Sequence, residues 1–229
     1  MFIIGDIHGQ LELLKGLYEN IKDYNEEIYS VGDIVDRGYS PIECIKFIQE
    51  KDIKAVKGNH EEMMVSGYRT ELFGKRKRAL WMKNGGWSTL EELEEYSEEE
   101  IKKILDWADQ LPLYIHCENE KVVIMHAGIN YNSELTLNEN LQNTIFDEDF
   151  LWHRASYLTC TELKDVDAIF VTGHTPFKKI MFDDFNRYFI DTGAFHTGKL
   201  SCLRVTNERV EGFSFSKKNG FKQQFSRRR

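Results

Sequence analysis

The sequence predicts an α/β fold built around parallel β-strands, and two patterns indicate it. Short apolar runs recur along the chain, and each ends in a tight turn that carries a polar side chain. Between the first three runs, apolar residues recur at helical spacing. Alternating strands and helices of this kind form parallel sheets, and ligands bind beyond the carboxyl ends of the strands. We therefore expect the polar turns to form one site.

The predicted elements follow in chain order. Six apolar runs are interpreted as strands, at 2–4, 28–31, 53–56, 122–125, 168–171 and 188–190. Helices are predicted between the first three strands, with Pro41 in the first turn of the second helix. The segment of about 62–111 is interpreted as a helical insertion that covers the strand ends. Two further strands, 200–205 and 210–214, predict a closing hairpin, and the whole chain, 1–229, is expected to form one domain.

Composition excludes several classes of protein. An apolar fraction of 41% and a charged fraction of 30% are typical of a globular protein. A net charge of −8 argues against broad attachment to nucleic acid or to an anionic membrane. Residues 1–6 lack the basic start and long apolar stretch expected of a signal peptide, no apolar run approaches membrane-spanning length, and the four cysteines form no CxxC pair. We expect a cytoplasmic protein with reduced thiols, without membrane or stable nucleic-acid partners.

The polar residues at the strand ends are those that a pair of divalent metal ions requires. Asp6 and His8 lie two residues apart, so one turn can direct both side chains at one ion. Asp33 occupies the equivalent turn after the next strand and is the natural carboxylate to bridge two ions. The second ion is expected to take its remaining ligands from Asn59, His126 and His174.

A ligand set of oxygen and imidazole, without thiolate, favours manganese, with iron or zinc as alternatives. Two such ions, divalent or of mixed valence, can activate a bridging water and bind phosphate oxygens during in-line attack. The chemistry expected is therefore direct hydrolysis of a phosphoester by a metal-bridging hydroxide.

Two tasks remain for other side chains. Arg37 and Arg154 are candidates to bind the phosphate oxygens, because a guanidinium group matches two of them. His60 is the candidate to protonate the leaving group, and Asp36 is placed to orient His60.

The ordered motifs resemble those of the calcineurin-like metallophosphoesterases. They are Gly5-Asp6-Ile7-His8-Gly9, Gly32-Asp33-Ile34-Val35-Asp36-Arg37-Gly38, Gly58-Asn59-His60-Glu61, Met125-His126-Ala127-Gly128 and Gly173-His174-Thr175-Pro176. The likeness is greatest to bacterial serine/threonine protein phosphatases similar to the lambda-phage enzyme. The resemblance implies a four-layer sandwich of two mixed β-sheets flanked by helices. It also assigns the metal, phosphate and acid roles to the residues named above.

Three functions are compared: a phosphoprotein phosphatase, a dinucleoside polyphosphate hydrolase and an inactive binding protein. All expected ligands are present, which disfavours the inactive protein. Symmetrical dinucleoside tetraphosphatases resemble this chain but carry alanine at the position of Asp36, so Asp36 favours the protein phosphatase.

The insertion is expected to set the choice of substrate. Its basic run, 75–78, is interpreted as a solvated helix face, with polyphosphate binding beside Tyr68 and Phe73 as the alternative. Its tryptophans are predicted to pack inside it, and they are Trp81, Trp87 and Trp107.

Overall fold

The computed structural model describes residues 1–69, 74–143, 147–154, 163 and 166–229. Its strands are β1 (Phe2–Ile4), β2 (Ile28–Ser30), β3 (Lys54–Ala55), β4 (Tyr114–Cys117), β5 (Val122–Met125), β6 (Ile169–Thr172), β7 (Met181–Phe182), β8 (Arg187–Phe189), β9 (Leu200–Val205), β10 (Arg209–Ser216) and β11 (Gly220–Arg228). They form a six-stranded sheet in the order β11-β10-β9-β1-β2-β3 and a five-stranded sheet in the order β4-β5-β6-β8-β7.

Each sheet has three neighbouring parallel strands and antiparallel strands outside them. β1, β2 and β3 are parallel in the first sheet, and β5, β6 and β8 are parallel in the second. The carboxyl ends of neighbouring parallel strands lie at one edge of a sheet, where α/β proteins bind their ligands. All the turns predicted to carry the site follow one of these parallel strands.

The helices are α1 (Leu11–Ile21), α2 (Pro41–Glu50), α3 (Asn59–Arg69), α4 (Gly74–Lys83), α5 (Trp87–Leu93), α6 (Glu98–Asp109), α7 (Leu137–Asn143), α8 (Asp147–Trp152) and α9 (Ala194–Thr197). Pro41 stands at the start of α2, where its missing N–H leaves no hydrogen bond unmade. α6 begins with a capping box, in which Ser97 and Glu100 each bind the backbone N–H of the other. The predicted insertion, about 62–111, contains α4–α6 and the part of α3 that follows Glu61.

Four layers follow from the alternation of side chains along the strands. Ile3 of β1 packs between the sheets with Val122 and Ile124 of β5. Its neighbours Phe2 and Ile4 face the opposite side and pack in the core that includes α1, α2 and α6. A third core covers the outer face of the second sheet and includes residues of α7 and α8. The predicted sandwich of two mixed sheets between helices is confirmed.

Most predicted strands lie within about two residues of their predicted bounds, and the hairpin of β9 and β10 is present. A third antiparallel strand, β11, follows that hairpin and was not predicted. Its sequence contains few apolar residues, and it is held by pairing along the whole of β10. The single-domain organisation stays a prediction.

The thiols of Cys44 and Cys202 are buried and that of Cys117 is half-buried, all three unpaired, while Cys160 lies outside the described residues. Within the described ranges, the helices are too short or too polar to cross a bilayer. The cytoplasmic location stays a prediction.

Candidate metal centre

The turns after five parallel strands bring together the side chains that the sequence singled out. Asp6 and His8 follow β1, and Asp33, Asp36 and Arg37 follow β2. The remaining positions follow β3, β5 and β6 and are Asn59 with His60, His126 and His174. The ten predicted site residues include eight that are at most 5% exposed, whereas Arg37 is half-buried and Arg154 is exposed.

Backbone conformation directs several of these side chains. His8, Asp33, Asp36, Arg37 and His174 all have positive φ, between 47° and 69°. This left-handed region costs a residue other than glycine about 1–3 kcal/mol, and such strain concentrates at functional sites. The turns therefore hold a costly conformation that the surrounding contacts must stabilise.

Asp33 lies at the centre of two buried groups of potential metal ligands. The ligand atoms of His8, Asp33 and His60 all lie within 4.8 Å of one another, as do those of Asp33, His126 and His174. Asp33 Oδ2 is 3.6 Å from His8 Nε2, and Asp33 Oδ1 is 3.3 Å from His126 Nε2. The two oxygens of one carboxylate thus face different groups, as a bridging ligand requires.

Two of the histidines are oriented as metal ligands commonly are. His8 Nδ1 lies 3.0 Å from the carbonyl oxygen of Val35, and His126 Nδ1 lies 2.8 Å from that of Val31. Burial lowers the pKa of His8 to about 3 and also lowers the pKa of His126. A neutral imidazole that donates from Nδ1 presents a lone pair at Nε2, and this is the orientation that binds a metal.

Around Asn59, electron-pair donors converge. Asn59 Oδ1 is 2.8 Å from His126 Nε2 and 2.9 Å from His174 Nδ1, and those two nitrogens are 3.2 Å apart. The other ring nitrogen of His174, Nε2, is buried and has no hydrogen-bond partner among the residues that the structure describes. These oxygen and nitrogen atoms have more lone pairs than there are N–H donors to pair with them. A cation between the atoms would bind the lone pairs that remain. The residues therefore fit a metal ion.

Asp6 belongs to neither group of three, although it lies in the same buried region. Its carboxylate accepts a hydrogen bond from the backbone N–H of His174, at 3.0 Å to Oδ2. Burial raises the pKa of Asp6, and the charges of Asp191 and Asp33 raise it further. Burial also raises the pKa of Asp191 to about 6. Buried carboxylates this close together need positive charge nearby, as a dinuclear metal site would provide.

The predicted contact between His60 and Asp36 is present. His60 Nδ1 lies 2.6 Å from Asp36 Oδ2, and both side chains are almost fully buried. Burial acts to lower the pKa of His60, but Asp33 and Asp36 outweigh it and the pKa is raised. His60 therefore differs from His8 and His126, whose pKa values are lowered.

Two further residues hold Asp36, and sequence reasoning missed the role of both. Trp81 Nε1 donates to Asp36 Oδ1 at 2.9 Å, and the hydroxyl of Thr89 donates to the same oxygen at 2.6 Å. The backbone N–H of Asp36 donates to Thr89 Oγ1 at 3.0 Å. Trp81 was predicted only to pack, which it also does, and no motif marked Thr89. Both residues belong to the insertion.

The insertion also holds Arg37. The backbone N–H of Arg37 donates to the carbonyl of Gly85 at 3.0 Å, and its Nε donates to that of Asn84 at 3.4 Å. Its guanidinium nitrogens lie 2.9 Å from Nε2 of both His8 and His60. On the other side of the site, Arg154 donates to the carbonyl of His174 at 3.1 Å. Both predicted arginines are thus at the site.

Glu61 is a third residue whose role the sequence did not reveal. Its buried carboxylate accepts hydrogen bonds from the N–H groups of Asp33, Ile34 and Gly58 at 2.8–2.9 Å, and from Val35 at 3.2 Å. These contacts fix the turn that carries Asp33. The motif Gly58-Asn59-His60-Glu61 included this residue but gave it no role.

One of the three packing roles predicted for tryptophans is wrong. Trp87 is 66% exposed, so it does not pack inside the insertion, whereas Trp107 packs partly buried against the core. His196 is exposed in α9, with its ring beside Phe195. Asp191 accepts a hydrogen bond from the backbone N–H of Gly193.

Comparison with known proteins decides the family. The family model described as calcineurin-like phosphoesterase matches residues 1–205. The chain is a calcineurin-like phosphoesterase. The resemblance seen in the motifs is confirmed, and this phosphoesterase is a metal-dependent hydrolase of the phosphatase type.

Individual relatives of this phosphoesterase carry two kinds of name. Serine/threonine-protein phosphatase 1 of Salmonella typhimurium is 31% identical over 210 residues, 90% of this chain and 91% of that protein. The symmetrical bis(5'-nucleosyl)-tetraphosphatase of Pasteurella multocida is 26% identical over 141 residues, 58% of this chain and 46% of that protein. The structure of a cold-active protein tyrosine phosphatase has the same fold, with a TM-score of 0.61 at 22% identity, covering 97% of this chain and 77% of that one.

Proposed function

We propose that this phosphoesterase is a phosphoprotein phosphatase that hydrolyses phosphoserine and phosphothreonine directly, with His60 as the general acid. The observation that carries the proposal is the buried contact of 2.6 Å between His60 Nδ1 and Asp36 Oδ2. A serine alkoxide is a strong base and needs a proton as its bond to phosphorus breaks. The leaving group of a dinucleoside polyphosphate is itself a phosphate, a weak base that needs little protonation. A general acid such as His60, held in place by Asp36, is therefore more useful to a protein phosphatase than to a dinucleoside polyphosphate hydrolase.

The relatives support the same choice. Similarity to serine/threonine-protein phosphatase 1 extends over about nine-tenths of both chains, whereas similarity to the tetraphosphatase covers less than half of that protein. Retention of Asp36 adds to this, because symmetrical tetraphosphatases resemble this chain but carry alanine there.

We assign one metal ion to Asp6, His8 and Asp33. The second is assigned to Asp33 with Asn59, His126 and His174. When bound, the ions would activate water as the nucleophile and place positive charge beside the phosphate. Oxygen and imidazole donors without thiolate suit manganese, with iron and zinc as alternatives.

The two arginines bind the phosphate from opposite sides. Arg37 lies beside His8 and His60, and Arg154 lies beside His174, so their guanidinium groups flank the region around Asp33. A guanidinium group presents paired N–H donors that match two phosphate oxygens. Together they fix the phosphoryl group and neutralise the charge on its equatorial oxygens.

His60 donates an Nε2 proton to the leaving serine or threonine oxygen after the Arg37 guanidinium, whose donor nitrogen lies 2.9 Å from His60 Nε2, turns from that nitrogen to the phosphate. Asp36 accepts from Nδ1 and thereby keeps the proton to be transferred on the ring nitrogen that faces the site. His60 Nε2 also lies 3.9 Å from Asp33 Oδ2, which places it among possible metal ligands. The raised pKa of His60, where burial lowers the pKa values of His8 and His126, favours the acid role, and measurement of metal content separates the two roles.

The decisive experiment compares kcat/KM for phosphoserine peptides and for diadenosine polyphosphates, with manganese-loaded protein. We expect a ratio well above one in favour of the peptides. We also expect His60→Asn and Asp36→Asn to slow phenyl phosphate far more than p-nitrophenyl phosphate, with metal content unchanged. A ratio below one, or turnover of phenyl phosphate by His60→Asn at the wild-type rate, would refute the proposal.

Dinucleoside polyphosphate hydrolysis is the second candidate, and the 26% identity to a symmetrical bis(5'-nucleosyl)-tetraphosphatase over 58% of this chain supports it. The basic run 75–78 of α4 is exposed along its whole length, as a solvated face or a polyphosphate-binding surface would be. Of the aromatic residues that could stack on a base there, Tyr68 packs partly buried against the core and Phe73 lies outside the described residues. The kinetic comparison above decides between the candidates.

A further inference from the structure

A basic cavity of about 700 Å³ lies beside the metal centre and takes no part in the chemistry above. Its lining begins at Gly9, one residue after His8, and includes Tyr39, two residues after Arg37. Consecutive Cα atoms are about 3.8 Å apart, so these lining residues start within about 4–8 Å of the site's backbone. The cavity therefore borders the turns that carry His8 and Arg37.

The charge of the cavity is opposite to that of the protein as a whole. Among the described residues that line it are four lysines and one acidic residue, Glu12. Lys217 is the lysine that pairs with Glu12, and the two charged groups are 3.8 Å apart. The lining thus has a formal charge of +3, four lysines less one glutamate, in a chain of net charge −8. Local positive charge of this kind attracts acidic ligands.

Little negative charge in the protein balances the ammonium groups of the other three lysines. Lys199 is half-buried and donates its ammonium group to the backbone carbonyl of Lys178 at 2.6 Å. Burial lowers the pKa of Lys199, which means that its charge lacks a balancing anion. Lys178 and Lys218 are exposed, and within the described part of the chain their ammonium groups make no ion pair. An anionic ligand would balance this charge.

We propose that the cavity binds acidic residues that flank the phosphorylated residue of a protein substrate. The proposal rests on the proposed phosphoprotein phosphatase activity. Lys178 follows His174 by four residues, so their Cα atoms are at most about 15 Å apart. An extended peptide covers about 3.3–3.6 Å per residue. An aspartate or glutamate about two to five positions from the phosphoserine can therefore reach the lysines.

Tyr39 lines the cavity two residues after Arg37 in the chain. Its side chain is 94% exposed at the wall of the cavity. A large aromatic ring held in water costs hydrophobic free energy that a bound peptide would recover. We therefore assign Tyr39 to contact with the substrate chain as it passes from the phosphate to the cavity.

The test uses phosphoserine peptides of equal length that carry either acidic residues or their amides at positions two to five, on each side of the phosphoserine. In wild-type protein we expect kcat/KM to favour an acidic peptide by about fivefold to tenfold, the size expected for two or three exposed charge pairs. The preference should fall as salt concentration rises. The double variant Lys178→Glu, Lys218→Glu should lose it, while turnover of p-nitrophenyl phosphate stays at the wild-type value.

The matched control is the double variant Lys102→Glu, Lys103→Glu on α6, which makes the same change in net charge at exposed lysines outside the cavity. It should keep the preference for acidic peptides. Equal kcat/KM for acidic and neutral peptides in wild type, or a preference that survives reversal of Lys178 and Lys218, would overturn the subsite while leaving the phosphatase activity intact.

Failure of the proposed function looks different in the same experiment. Neither peptide would then be hydrolysed, although p-nitrophenyl phosphate would be. If diadenosine tetraphosphate instead showed the dependence on Lys178 and Lys218, the cavity would bind a polyphosphate and the assignment to acidic peptides would be wrong.

Discussion

Thr89→Val removes one hydroxyl from the support of the proposed acid and leaves the shape of the side chain nearly unchanged. Two contacts are lost, namely the donation from Thr89 to Asp36 Oδ1 at 2.6 Å and the donation from the Asp36 backbone N–H to Thr89 at 3.0 Å. A hydrogen bond to a charged group contributes about 1.5–3 kcal/mol, and an unpaired buried N–H costs about 1–3 kcal/mol. We expect a loss of roughly 3–5 kcal/mol in the free energy of unfolding.

The effect on catalysis should depend on the leaving group. Trp81 still donates to Asp36, so the pair of Asp36 and His60 is weakened and not abolished. General acids contribute about 10²–10⁴-fold to such reactions, and we expect Thr89→Val to lose about tenfold in kcat on phenyl phosphate. On p-nitrophenyl phosphate, whose leaving group needs less protonation, the loss should be at most about twofold. Thr89→Ser keeps the hydroxyl and should restore the wild-type ratio.

Thr172→Val is the matched control, because Thr172 is as buried as Thr89 but its hydroxyl finds no hydrogen-bond partner in the described part of the chain. Removal of an unpaired buried hydroxyl should leave the free energy of unfolding unchanged or raise it. Urea unfolding gives the stabilities, and the ratio of the two kcat values gives the catalytic effect. An equal loss of kcat on both substrates would show that Thr89 has only a structural role.

Three further predictions concern the metal centre. Gly173→Ala should weaken manganese binding by at least tenfold in a titration, because a Cβ at Gly173 would lie 1.9 Å from Asp6 Oδ1 and displace that carboxylate; unchanged affinity would argue against Asp6 as a ligand. Glu61→Gln should lower the free energy of unfolding by about 2–4 kcal/mol in urea, because an amide cannot accept from all four N–H groups that now bind Glu61, and wild-type stability would contradict this. Chelation should abolish activity and lower the melting temperature, and manganese should restore both; full activity at a measured metal content of zero would refute the assignment.

The position of the site was predictable because it depends on short stretches of chain. Each proposed ligand stands within a few residues of a strand end, and parallel strands place those ends together. The pairing of His60 with Asp36 was also predictable, because both residues follow neighbouring parallel strands. Local pattern and the order of strands are enough for contacts of this kind.

Contacts made by the insertion were not predictable in the same way. Trp81 and Thr89 lie 45 and 53 residues from Asp36 along the chain, and the packing of helices decides where their polar atoms point. Nothing in the local pattern distinguishes a buried tryptophan that donates a hydrogen bond from one that only packs. The same limit explains the error at Trp87, whose apolar character indicated burial although the side chain is largely exposed.

The division of labour between the sheets and the insertion has a consequence for variants. The proposed ligands are held by strand-end turns and by contacts such as those of Glu61, none of which involves helices α4–α6. Asp36, by contrast, accepts hydrogen bonds from Trp81 and Thr89. Arg37 donates hydrogen bonds to the carbonyls of Asn84 and Gly85. Metal binding and protonation of the leaving group can therefore fail separately. A change in the insertion should leave metal content intact and slow the release of poor leaving groups, whereas a change at Asp33 should remove metal and slow all substrates alike.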